Sequence, residues 1–192
     1  MSGQLPTTPV ARSASINSQQ NTIVSVTSSG RKQARQIDGQ RFAIRLKYPP
    51  MTRSEFAPIK AFIMKQRSQL ESFTVIPPTE SDALGTAAGL PTGTASAGAT
   101  SITLGGTGTG TLKAGDYIKF ANHDKVYMVV ADQSDISTGT LTIEPPLRTA
   151  VSATDIIYDN VPFTVSLTND IQEYNIGTTN LYAYELDVVE VL

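Results

Sequence analysis

In the stretch QRFAIRLKY at residues 40–48, large apolar side chains alternate from Phe42 onward with Ala43 and basic residues. Successive side chains of a β-strand point to opposite faces, so this alternation predicts a half-buried strand. The side chains predicted to be buried are Phe42, Ile44, Leu46 and Tyr48. The preceding Asp38-Gly39 favours a type I′ turn, and we therefore predict a β-hairpin over residues 31–48 with its turn at this dipeptide. Its first strand is polar on both faces, so the hairpin is expected to project from the core.

The last twelve residues, LYAYELDVVEVL at 181–192, repeat the same alternation. One face would carry Tyr182, Tyr184, Leu186 and Val188. Glu185 and Asp187 lie on the other face. We expect this strand to pair with residues 41–48, with apolar side chains on the buried side and opposite charges on the exposed side.

Residues 51–70 contain apolar side chains at helical spacing and predict a helix over about residues 55–70. The apolar stripe consists of Phe56, Ile59, Phe62, Ile63 and Leu70. Thr52 and Glu55 match a capping box, but Ser54 is the preferred N-cap because it places Pro58 in the first turn. We predict no other helix.

Length and composition predict one mainly β domain with a small insert. Residues 1–22 are polar and are predicted to form an arm that becomes ordered only by packing on something else. Residues 85–112 contain 23 Gly, Ala, Ser or Thr in 28 positions, which predicts a flexible connection or a set of small-residue loops. We expect the main domain to comprise residues 23–78 and 151–192, and residues 79–150 to contain this connection and a small inserted β unit.

The two halves of the chain carry opposite charge. Residues 1–80 hold 11 basic and four acidic side chains, a net charge of +7, whereas residues 81–192 hold four basic and 13 acidic ones, a net charge of −9. The halves could neutralise each other within one fold. Alternatively, a positive edge of one subunit could meet a negative edge of the next. Basic residues without interleaved aromatics, in a chain that is acidic as a whole, argue against a sequence-specific nucleic-acid reader.

The residue types present argue against an enzyme. The chain has no Cys and one His, which excludes thiolate chemistry and leaves no set of residues for a His-based triad or a two-histidine metal site. The glycine cluster at residues 105–110 matches neither phosphate-binding motif. We therefore predict neither catalytic residues nor a cofactor or metal. The chain has no apolar run of membrane-spanning length and no signal-peptide pattern at its start, so we expect no membrane partner.

The order of these features resembles the tail proteins of tailed bacteriophages. The resemblance rests on the hairpin leading into YPPMTRSEFAPIKAF at residues 48–62, on KQRSQLESFTVIPP at 65–78 and on the terminal strand at 181–192. More narrowly, the chain is similar to distal tail and minor tail proteins. This resemblance implies a tail-tube-like β-sandwich with one helix and a hexameric ring around the channel through which DNA passes. It also implies partners among tube, hub and baseplate proteins, and a place in the virion after assembly in the host cytoplasm.

In such a ring, the projecting hairpin would reach the sheet of the adjacent subunit. The candidate interface residues are Lys32, Arg35, Arg41, Arg45, Lys47, Glu185 and Asp187. A rival hypothesis gives the inserted unit a carbohydrate or another host-surface polymer to bind, through Tyr117, Tyr127 and the loop at residues 122–124. A connector at the head-proximal end of the tail is a third possibility.

Overall fold

The computed structural model describes residues 3–177 and 179–192, which form twelve β-strands and one α-helix. The prediction of a mainly β protein with a single helix is confirmed for these residues. The strands of the main sheet, given in chain order, are β1 (Ser13–Val26), β2 (Lys32–Lys47), β3 (Phe73–Val75), β10 (Phe163–Leu167), β11 (Tyr174–Ile176) and β12 (Tyr182–Glu190). The strands of a separate closed barrel are β4 (Pro91–Ala95), β5 (Ser101–Gly106), β6 (Tyr117–Phe120), β7 (Val126–Val129), β8 (Thr140–Glu144) and β9 (Val151–Ile157).

The main sheet runs in the order β1-β2-β12-β10-β3, and β11 pairs with the free end of β12. Strands β2 and β12 are antiparallel neighbours, with Leu46 opposite Leu186 and Ile44 opposite Val188. All four of these side chains are buried. The predicted pairing of the terminal strand with residues 41–48 is therefore confirmed, including which face of each strand is buried.

The helix α1 spans Arg53–Lys65, so it begins and ends earlier than predicted. The Glu55 carboxylate accepts hydrogen bonds from the backbone N–H and the hydroxyl of Thr52, each at 2.8 Å, and these bonds lower the pKa of Glu55. Thr52 is thus the N-cap, and the preference for Ser54 was wrong. Pro58 is tolerated inside the helix because it is exposed, which leaves the carbonyl freed by its missing N–H accessible to water.

The predicted hairpin turn at Asp38-Gly39 is wrong. Strand β2 continues through this dipeptide, and the turn lies at residues 27–31, where Gly30 adopts a φ of 79° and the Arg31 N–H donates to the Thr27 hydroxyl. Residues 13–22, predicted to belong to an arm, form most of β1 instead. The pairing register shifts beside Asp38-Gly39, so the positive φ of Gly39, 113°, serves a β-bulge within the ladder.

The barrel closes in the order β4-β5-β8-β7-β6-β9 around a core that includes Ile102, Phe120 and Tyr127. The Gly/Thr-rich residues predicted to be a flexible connection contribute two of its strands, β4 and β5. Small side chains are required there, because a Cβ at Gly93 would lie 2.7 Å from the ring of Phe120 and 2.9 Å from Ile102. The low hydrophobicity of this stretch therefore reflects close packing rather than flexibility.

One core joins the sheet to the helix and to the barrel. At one end of the sheet, Phe56 of α1 packs on Tyr182 and Tyr184. At the other end, Phe42 meets Tyr117 of the barrel, with ring centroids 5.4 Å apart and an edge-to-face geometry. The buried face of the sheet is thus covered by α1 and the barrel together. Within the part of the chain that the structure describes, no helix is long and apolar enough to cross a membrane.

Candidate interaction surfaces

Strands β1 and β2 extend far beyond the rest of the sheet. Strand β12 pairs with β2 only over residues 43–47, so the outer part of the ladder is a two-stranded ribbon. We call residues 18–39 the hairpin tip; all of them are exposed. The large apolar side chains of the hairpin tip, with their exposed fractions, are Ile23 (58%), Val24 (48%), Val26 (64%) and Ile37 (44%). An exposed ribbon with this much apolar surface is typical of a segment that is covered in an assembly.

Both faces of the hairpin tip carry apolar side chains. Val24 lies opposite Ala34 on one face, and Ile23 lies opposite Arg35 on the other. Directly opposed residues of an antiparallel pair share a face, and adjacent residues alternate between the two. A partner that covered one face only would therefore leave apolar surface of the other face in water.

The two edges of the main sheet differ in their protection. At the β3 edge, residues 3–5 add a short parallel bridge, in which the Leu5 N–H donates to the Thr74 carbonyl and the Thr74 N–H to the Gly3 carbonyl, each at 2.9 Å. Strand β1, at the other edge, has a strand partner on one side only among residues 3–177 and 179–192. A long edge strand of this kind is a template for pairing with another chain.

The predicted interface residues fall into two groups. Four of them pair within one chain: Arg45 with Asp187 at 2.5 Å and Lys47 with Glu185 at 3.0 Å. The hydrogen bonds and charge of Asp187 raise the pKa of Arg45. The other three, Lys32, Arg35 and Arg41, lie along β2 and form no ion pair within the described part of the chain.

A cleft of about 1010 Å³ lies on the exposed side of the sheet, between the end of the β1–β2 ladder remote from the hairpin tip and residues 168–175. We call it the loop cleft. Its wall is held in place by a hydrogen bond from the Tyr184 hydroxyl to Gln172 at 2.9 Å, and by the Ser68 hydroxyl, which donates to the Asp170 carbonyl. The acidic residues of its lining are Asp170, Glu173, Glu185 and Asp187.

A buried polar junction connects the barrel to the sheet, and sequence reasoning missed it. Lys125, directly before β7, pairs with Glu190, at the end of β12; the two side chains are 4% and 0% exposed. Lys125 also donates to the Gln40 amide oxygen at 2.8 Å, and its ammonium lies 4.7 Å from the centre of the Phe42 ring. Glu190 has the same parity as the buried Tyr184, Leu186 and Val188, and this parity was the available signal for a buried acid.

The carboxylate of Glu190 has three donors around it. Besides Lys125, the backbone N–H groups of Val126 and Phe42 donate to it at 2.8 and 3.1 Å. Burial lowers the pKa of Lys125, and the charge of Glu190 opposes this effect. Because strands from both parts of the molecule supply these donors, the junction fixes how the barrel sits on the sheet.

The two tyrosines predicted to contact a carbohydrate are buried, whereas Asn122 and Asp124 of the predicted contact loop are exposed. Tyr117 is 7% exposed and Tyr127 is fully buried. The Tyr127 hydroxyl accepts a hydrogen bond from the Arg148 N–H at 2.9 Å and bonds His123 Nε2 at 2.8 Å, and burial raises the pKa of this tyrosine to about 12. His123 Nδ1 in turn bonds the Asn122 amide oxygen at 2.7 Å. Tyr117 and Tyr127 are therefore core residues, and their assignment as surface contacts in the rival hypothesis was wrong.

Comparison with protein families gives one match. Residues 80–161 match the family model described as distal tail protein pb9, B domain. The matched range contains all six strands of the barrel, β4 to β9. No curated protein sequence matches the chain.

Proposed function

We propose that the chain is a non-enzymatic ring-former of a phage tail, and the match of residues 80–161 to a distal tail protein domain supports this structural role. Copies of the chain close into a hexameric ring at the distal end of the tail tube. The ring joins the tube to the baseplate or hub, and DNA passes through its channel without sequence-specific contacts. The protein assembles in the cytoplasm of the host bacterium and resides in the virion.

The hairpin tip is the observation that carries this proposal. A two-stranded ribbon is marginally stable in water on its own, and this one exposes apolar side chains on both faces. The adjacent edge of β1 offers unpaired backbone groups along a strand of 14 residues, a length of about 45 Å. Neighbouring copies in a closed ring would cover this surface, which would promote aggregation in a free monomer.

Charge supports contacts between different surfaces of neighbouring copies. We place Lys32, Arg35 and Arg41 at the interface, where acidic groups of the next copy would meet them. The pairs Arg45–Asp187 and Lys47–Glu185 form between β2 and β12 at the base of the ribbon, so these four charges are already partnered within each copy. Attraction between opposite charges would also orient the subunits as they approach each other.

Substitutions on the hairpin tip test the proposal. Mass photometry and negative-stain imaging of the purified full chain should reveal rings of uniform size. The double variant Val24→Asn/Val26→Asn should be monomeric with an unchanged unfolding temperature, because both side chains are already exposed. The matched control is Leu84→Asn/Leu90→Asn. These two side chains are 79% and 65% exposed but precede strand β4, outside the hairpin tip, so this variant should form rings.

Two outcomes would refute the proposal. One is a wild-type chain that stays monomeric at every concentration and binds neither tube nor hub proteins. The other is a tip variant that assembles as well as the wild type, because the ribbon would then contribute nothing to self-association.

A further inference from the structure

We propose that the hairpin tip of one copy docks in the loop cleft of the next. This inference rests on the proposed self-association and adds to it the two surfaces that meet. It requires that the cleft and the tip be complementary in charge and in apolar character. It also requires that they lie too far apart to meet within one copy.

The loop cleft carries an excess of negative charge. Of its four acidic residues, Glu185 and Asp187 are paired with Lys47 and Arg45. Asp170 and Glu173 are exposed and form no ion pair within the described residues. Apart from the paired Lys47, the basic residue of the lining is Arg12, so two free carboxylates face one free guanidinium.

The hairpin tip carries the complementary charge. It contains Arg31, Lys32 and Arg35 against the single acid Asp38. Its apolar side chains also have a counterpart, since Ile171 on the wall of the cleft is 84% exposed. Tip and cleft thus match in both charge and hydrophobicity.

The positions of the two surfaces exclude a contact within one chain. The cleft is lined by Arg12 and Ser13 at the start of β1, whereas the tip includes Val26 at the end of β1. About 45 Å of extended strand separates them, so the tip of a copy does not reach its own cleft. The contact is therefore heterologous: each copy offers a tip to one neighbour and a cleft to the other, an arrangement that forms a ring when the rotation between copies closes.

The cleft has room for the turn of a hairpin. Cavities of about 300–1,000 Å³ hold a drug-sized molecule, and this one measures about 1010 Å³. This volume is large enough for several side chains of residues 26–32. Its wall is already fixed by Gln172 and Ser68, so little ordering would be needed on docking.

Cysteine cross-linking tests which surfaces meet. The chain has no cysteine, so the only thiols present are those introduced. A full chain carrying Ser28→Cys on the tip and Ile171→Cys in the cleft should form a ladder of disulfide-linked oligomers under mild oxidation. The single variants should give dimers at most, and Ser28→Cys combined with Leu84→Cys should give no ladder.

Charge reversal supplies an independent readout. Arg35→Glu and Asp170→Arg should each weaken assembly by about tenfold, as judged from the concentration at which oligomers half-dissociate, and the double variant should regain most of this loss. Oligomers that form without the ladder and without the rescue would overturn the docking inference but leave the ring intact. A chain that does not self-associate at all would overturn both the inference and the ring.

Discussion

Removing the charge of Glu190 is expected to be among the most damaging single changes in this chain. The carboxylate is fully buried and accepts hydrogen bonds from Lys125 and from the N–H groups of Val126 and Phe42. In Glu190→Gln, an NH₂ group replaces one carboxylate oxygen and faces N–H donors instead of accepting from them. In addition, the ammonium of Lys125 remains buried without its counter-charge. Breaking a buried pair from one side costs about 3–5 kcal/mol.

Lys125 should behave differently when both partners change. Lys125→Met alone leaves a buried carboxylate that retains its two backbone donors, and we expect a loss of about 3 kcal/mol. In the double variant Lys125→Met/Glu190→Gln, no charge is buried and the Gln oxygen can still accept from one backbone N–H. The remaining N–H group, left without a partner, costs about 1–3 kcal/mol. The double variant should therefore be more stable than the sum of the single changes predicts, and no less stable than Glu190→Gln alone.

Urea unfolding of the four proteins at pH 7 measures both the cost and the coupling. The matched control is the pair Lys47→Met on β2 and Glu185→Gln on β12, the strand that also carries Glu190; their side chains are 51% and 56% exposed. Surface changes of this kind alter the free energy of unfolding by about 0.5 kcal/mol or less. A loss below about 1 kcal/mol for Glu190→Gln, or additive losses in the double variant, would refute the idea that this pair and its hydrogen bonds act as one unit.

Two further predictions concern the barrel. Gly93→Ala should lower the free energy of unfolding by about 1–3 kcal/mol, because its Cβ would overlap Phe120 and Ile102, whereas Gly105→Ala, with its nearest neighbour 3.4 Å away, should be nearly neutral in thermal melts. His123 should make stability depend on pH. Burial, together with the charge of Lys119, lowers the pKa of His123 in the folded protein. As the pH drops below about 6.5, the histidine is therefore protonated in the unfolded chain before it is protonated in the folded one, and stability falls. Urea midpoints between pH 7 and 5 should fall less steeply in His123→Gln, and an equal slope in both proteins would contradict this assignment.

The main sheet was largely predictable because its strands are buried on one face. Alternation in β2 and β12 located both strands, their buried faces and their pairing, including the opposite charges of Arg45 and Asp187. Alternation does not locate the hairpin tip, because no face of the tip is buried in the monomer and its apolar residues therefore do not recur at every second position. There, Asp38-Gly39 offered a turn signal, but the chain uses the Thr27–Arg31 segment to reverse direction and places the glycine in a bulge.

Part of the barrel was hard to predict for a different reason. Its strands β4 and β5 contain few large apolar residues, and the closeness of Gly93 to Phe120 depends on side chains that come from distant positions in the sequence. The composition of these strands alone predicts a flexible connection, because the composition of a segment does not show which side chains of other strands will pack against it. The tyrosines assigned to a surface site were misplaced by the same limitation, since burial of Tyr127 becomes evident only once the barrel has closed.

Strand β12 connects the two parts of the proposed assembly. Its middle residues pair with β2, whose extension is the hairpin tip, and its last residue, Glu190, forms a buried ion pair with Lys125 of the barrel. A second polar contact, in addition to Lys125–Glu190, joins the barrel to the sheet: Lys119 of the barrel donates to the Thr164 hydroxyl of β10 at 3.3 Å. The barrel is thus held on the sheet by the aromatic core and by two buried lysines. If copies join through their tips, the orientation of each barrel follows from the position of its own sheet, and a ring of sheets must present a ring of barrels at one defined angle.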